Sequence, residues 1–76
     1  MTKSTVIKKF TEMGYKFIGN GTWVNQFNDG SILYTYSDTT DTWTSHVPSV
    51  GHSQPNLNHE FVLWDLAETV RCGADA

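Results

Sequence analysis

Apolar and polar positions alternate along this chain with two different periods, and the change of period marks the elements. Between Thr22 and Ser37 the alternation is twofold and turns about Asp29-Gly30. That dipeptide supplies positive φ at low cost and predicts a two-residue type I′ hairpin loop. In that register Asn28 faces Ser31, Phe27 faces Ile32, Asn25 faces Tyr34 and Trp23 faces Tyr36. One face then carries Trp23, Phe27, Ile32, Tyr34 and Tyr36, and the other carries Val24, Gln26, Leu33 and Thr35.

The segments around this hairpin follow the same logic. Val6, Ile7, Phe10 and Met13 recur at helical spacing, with Ser4 as the expected cap, Gly14 at the left-handed C′ position and Tyr15 placed to fold back on Phe10. Tyr15 to Ile18 reads as a short strand, and Gly19-Asn20-Gly21 as a three-residue turn that sets Phe17 opposite Trp23. Asp38-Thr39-Thr40-Asp41 reads as a turn, followed by a strand over 42–47 that pairs Trp43 with Tyr36 and leaves Thr44 and His46 on the outer face. The prolines and glycine of 48–57 predict a loop. Asn58 is the expected cap of a last helix, with Leu57 and Val62 as a hydrophobic staple. Its buried stripe is expected at Leu63, Leu66, Ala67 and Val70, widened by Phe61, Val62 and Trp64, and Gly73 is expected to stop it. The predicted architecture is α+β: helix, four-stranded antiparallel meander, helix, in one domain over 1–76 with both helices on one face of the sheet.

Charge refines this picture. The net charge is −3. Lys3, Lys8, Lys9 and Lys16 cluster in the first segment, whereas Asp29, Asp38, Asp41, Glu60, Asp65, Glu68 and Asp75 make the remainder acidic. Phosphate binding needs several cations on one continuous surface, so this distribution argues against direct nucleic-acid binding. It favours a partner with a basic protein surface. The helix-strands-helix order resembles double-stranded RNA binding domains, but the start of the second helix, where those domains are basic, holds Asn58, His59 and Glu60. A lone cysteine, Cys72, allows no internal disulfide, and no apolar run has the length of a leader or a membrane span, which points to the cytoplasm.

Candidate chemistry is sparse. His46, His52, His59 and Cys72 lack the compact spacing of zinc ligands, and no cofactor motif is present. Cys72 near a helix C-terminus would have its thiol pKa raised, which suits a packed thiol better than a nucleophile. The expectation is a non-enzymatic protein without metal or cofactor. Trp64 stands off the apolar stripe beside Asp65 and Glu68, where an aromatic can anchor a partner. Together with Asp38 and Asp41 these residues form the candidate partner-binding set.

The layout, the small size and the hairpin Trp23-Val24-Asn25-Gln26-Phe27-Asn28-Asp29-Gly30-Ser31-Ile32-Leu33, flanked by acidic turns, resemble small phage and mobile-element inhibitors of the anti-CRISPR kind. The resemblance implies a non-enzymatic viral inhibitor in the host cytoplasm that occludes a basic nucleic-acid-binding site on a host complex. The alternative expectation is a structural or oligomerising domain that uses the outer face of the sheet, as a monomer or weak homodimer.

Overall fold

The computed structural model describes residues 2–27 and 30–75, with side chains up to Glu68. The order is α1 (Lys3–Glu12), β1 (Lys16–Phe17), β2 (Thr22–Phe27), β3 (Gly30–Ser37), β4 (Thr42–Val47), a short 3-10 turn (Pro48–Val50), β5 (His52–Leu57) and α2 (His59–Asp75). The strands form an antiparallel sheet in the order β1-β2-β3-β4-β5. Residues of both helices join the apolar face of the sheet in one core, so the α+β order holds with a fifth strand added.

The end of α1 shows how local sequence fixes the core. Gly14 takes φ +84 at C′, the Gly14 N–H donates to the Thr11 carbonyl (3.2 Å), and the Tyr15 N–H donates to the Phe10 carbonyl (2.9 Å). This is a Schellman cap, and its hydrophobic contact is present: the Phe10 and Tyr15 rings lie 5.0 Å apart. Phe10 is fully buried, with the rings of Trp23, Tyr34 and Trp43 also within 5.5 Å. Truncating a side chain so enclosed costs about 3–5 kcal/mol. The helix starts two residues earlier than Ser4 implied, with Thr2 as N-cap and its carbonyl accepting from Thr5 and Val6.

Register is where the sequence reading is corrected. β2 and β3 pair Phe27 with Gly30, Asn25 with Ile32 and Trp23 with Tyr34, so Gly30 is a strand residue and not half of an Asp29-Gly30 loop. The offset from the expected pairing is two residues. Because strand side chains alternate with period two, every residue keeps its expected face. Two glycines favour the observed register. Gly21 lies opposite Tyr36, where a Cβ would stand 3.2 Å from the Tyr36 carbonyl oxygen, and Gly30 (φ +139) leaves room for Ser49, whose Oγ would lie 2.9 Å from a Cβ there. Asn28 and Asp29 lie outside the described residues. The pairs Phe17 with Trp23 and Tyr36 with Trp43 match the expected register.

The expected loop over 48–57 is instead a 3-10 turn and an edge strand. Ser45 pairs with Gln54 but Trp43 pairs with Leu57, so two residues of β5, Pro55 and Asn56, stand opposite Thr44 in a bulge. Asn56 takes φ +62 there. A bulge on an edge strand tolerates proline because no ladder donor is required at that point, which reconciles a loop-like composition with strand pairing.

Among the described residues, both helices contribute to the core on the other face, and the outer face carries none. Lys16, Val24, Leu33, His46 and Ser53 form one continuous row across it, and Thr22 and Thr35 share a 3.0 Å hydroxyl contact beside it. Among the described residues, no helix is long and apolar enough to cross a membrane.

Candidate interaction surface on the second helix

The phase of α2 decides which of its side chains can meet a partner. Asn58 caps it as expected, its Oδ1 accepting from the Phe61 N–H at 2.7 Å, and Leu57 and Val62 are both buried in the core. His59 is drawn toward the sheet: its Nδ1 accepts the Trp43 indole N–H at 2.9 Å and its Nε2 lies 3.2 Å from Asp41 Oδ1. An indole nitrogen only donates, so Nδ1 is unprotonated and the ring proton sits on Nε2, directed at Asp41. With 59 turned inward, Val62 and Leu66 become the fully buried positions, and Leu63 packs at their side. The expected stripe is thereby rotated. Ala67 is exposed, Val70 lies outside the described side chains, and α2 runs on through Gly73 to Asp75.

This rotation exposes aromatic surface. Trp64 is 58% and Phe61 37% exposed, and their rings lie 5.9 Å apart. Glu60 is exposed one turn before Trp64, and Glu68 is half-buried one turn after it. The i, i+4 spacing sets Glu60, Trp64 and Glu68 along one ridge.

The five residues expected to bind a partner are distributed over three places. Trp64 and Glu68 stand on this ridge. Asp65 turns inward, where its carboxylate accepts the Tyr34 hydroxyl proton. Burial and then this bond raise the Tyr34 pKa well above the usual tyrosine range, and burial followed by the Asp65 charge raises that of Tyr15. Asp38 and Asp41 occupy the β3–β4 turn. Asp38 is exposed and lies 3.9 Å from Lys3 Nζ, which also stands 4.3 Å above the Tyr36 ring centroid. Asp41, at φ +54, accepts from the Tyr36 hydroxyl and from His59. The Tyr36 bond, ahead of the His59 and Lys3 contributions, holds the Asp41 carboxyl below its usual range, and the same bond pushes the Tyr36 hydroxyl up to about 12.

Chemically, the Asp41–His59 pair resembles the orienting half of a catalytic triad, but the second ring nitrogen is occupied by Trp43, so this pair staples the β3–β4 turn to α2. His46 bonds Ser53 at 2.6 Å on the outer face and His52 is exposed at the β5 edge, so the histidines are dispersed. Among the described residues no group of three or more His, Cys, Asp and Glu is placed to hold a metal ion. Sequence reasoning overlooked Glu60 as a ridge residue and assigned Phe61 to the core. The signal that places both is the pair Leu57 and Val62 flanking the Asn58 cap, which sets the helix phase. Compared with family models, curated proteins and solved structures, the chain matches none.

Proposed function

We propose that this chain is a small non-enzymatic binding protein, an inhibitor or adaptor of the kind its sequence resembles, which docks on a basic surface of a host protein or nucleic-acid-binding complex. The observation that carries this reading is the exposed Phe61–Trp64 pair on α2, standing between Glu60 and Glu68. Trp23 and Trp43 are buried in the core, so Trp64 is the tryptophan that the fold leaves at the surface. An exposed tryptophan within a rim of carboxylates has the composition of an interface anchor for a cationic partner. Asp38, at the turn that Asp41 ties to the start of α2, adds negative potential that steers such a partner.

The commitment of both His59 ring nitrogens supports a binding role over a hydrolytic one, since the Asp41–His59 pair has no nitrogen left for a substrate proton. The outer-face alternative has weaker support. Val24 and Leu33 are half-buried already among Thr22, Thr35 and Thr44, and the exposed Ile18 stands at the edge beside Thr22, so the apolar residues of this face form no open continuous patch.

Affinity capture from host lysate with the wild type and with a Phe61→Ala/Trp64→Ala variant tests the proposal. The expected result is a retained protein of basic surface that is lost with the double variant and released by salt. Equal retention by both chains would place the docking surface elsewhere.

A further inference from the structure

We propose that the exposed ridge around Trp64 is an arginine receptor: a guanidinium from the partner stacks on the open face of the Trp64 indole and bonds the Glu60 carboxylate at its edge. This rests on the docking reading above and specifies the chemistry of what is docked.

The geometry of the ridge supplies the argument. Helical side chains lean toward the N-terminus, so the Trp64 ring lies over the preceding turn, where Phe61 meets it at 5.9 Å with a tilt of 46°. Phe61 thus backs the indole from one side, and Trp64 remains 58% exposed. Glu60 lies four residues before Trp64, about 6 Å along the axis, on the side toward which the indole leans and within reach of a planar cation centred on the ring. A guanidinium suits this site because it stacks through its plane while its edge offers several N–H donors to carboxylates. A lysine ammonium can also sit over a ring, but as a compact, strongly hydrated charge it lacks the planar edge that bonds a carboxylate while the face stays stacked.

The chain uses related chemistry within itself. Lys3 Nζ lies over the Tyr36 ring at 4.3 Å with Asp38 at 3.9 Å, one cation shared by an aromatic face and a carboxylate. Among the described residues that is the cation–π contact present, and it engages Tyr36, not Trp64.

Calorimetric titration of the full chain with deca-arginine and with deca-lysine at low salt tests the inference. The expected result is tighter binding of the arginine peptide by on the order of two- to fivefold, the range of an exposed cation–π contact. Trp64→Ala should abolish that preference while leaving charge-driven binding of both peptides. Glu60→Gln should weaken the arginine peptide with an unchanged melting temperature, and Trp64→Phe should retain part of the preference, which separates loss of the ring from loss of the fold. Equal affinities in the wild type, or a preference that survives Trp64→Ala, would overturn the arginine assignment and leave docking on a basic surface standing. Binding of neither peptide would overturn both.

Discussion

The Trp43 indole N–H meets Nδ1 of His59 at 2.9 Å, and this bond joins the centre of the sheet's core to the first turn of α2. Because Trp43 is fully buried, the bond is shielded from water on the indole side. With Leu57 and Val62 packed in the core on either side of the Asn58 cap, it holds the helix phase and so the set of residues that α2 turns outward.

Removing the acceptor leaves a buried donor without a partner. His59→Ala is expected to destabilise the fold by about 1–3 kcal/mol, the range for an orphaned buried polar group. His59→Asn can place an amide oxygen near the Nδ1 position and should recover part of that loss. Urea melts of the three proteins check this, and identical midpoints for wild type and His59→Ala would contradict it.

The chain's three tyrosines all ionise late. Tyr36 is pushed up to about 12 by its bond to Asp41, and burial raises Tyr15 and Tyr34 further. Folded values above unfolded ones mean that the stabilisation is complete below about pH 10 and is lost as pH rises through the folded values. Ultraviolet titration should therefore show little tyrosinate at pH 10 in the native protein and normal ionisation in denaturant. A native transition near pH 10 would contradict the burial of Tyr15 and Tyr34 and the Tyr36–Asp41 bond.

Asp41 gives the opposite sign. Its carboxyl is held below the ordinary value by Tyr36, His59 and Lys3, so its contribution is present above about pH 4 and is lost as pH falls through the depressed folded value. Asp41→Asn keeps a residue type that tolerates positive φ. The variant should melt below the wild type at pH 7, and the gap should close toward pH 2. A gap independent of pH would show that the charge is not what stabilises the turn.

The outer sheet face leads to an expectation about mass. With Val24 and Leu33 half-buried among threonines, the wild type should sediment as a monomer at micromolar concentration, and a Val24→Lys/Leu33→Lys double variant should leave the mass unchanged. A tight dimer broken by that variant would favour the oligomerising alternative.

What the sequence made legible was local. The Gly14 and Tyr15 cap, the Asn58 cap, the face of each aromatic residue and the Phe17–Trp23 and Tyr36–Trp43 pairs all follow from one stretch of chain or from period-two alternation. Hairpin register needed more, because Asp29-Gly30 as a loop satisfies the same faces; the discriminating fact is that Ser49, distant in sequence, occupies the space a Cβ at Gly30 would need. β5 was hidden because His52 to Asn56 are exposed and carry no alternation, and the bulge absorbs Pro55. The ridge on α2 was legible only in Trp64 and Glu68. Its phase was signalled by Leu57 and Val62 around the Asn58 cap and is held by a long-range bond, Trp43 to His59; the same phase turns Asp65 toward Tyr34.

The most direct measurement of the central claim is a map of backbone amide shifts as deca-arginine is added to the isotopically labelled chain. The docking account predicts shifts concentrated on α2 around Glu60, Phe61, Trp64 and Glu68, with smaller changes at the β3–β4 turn and none on the row Lys16, Val24, Leu33, His46 and Ser53. Shifts centred on that row, or a spectrum unchanged at saturating peptide, would contradict it.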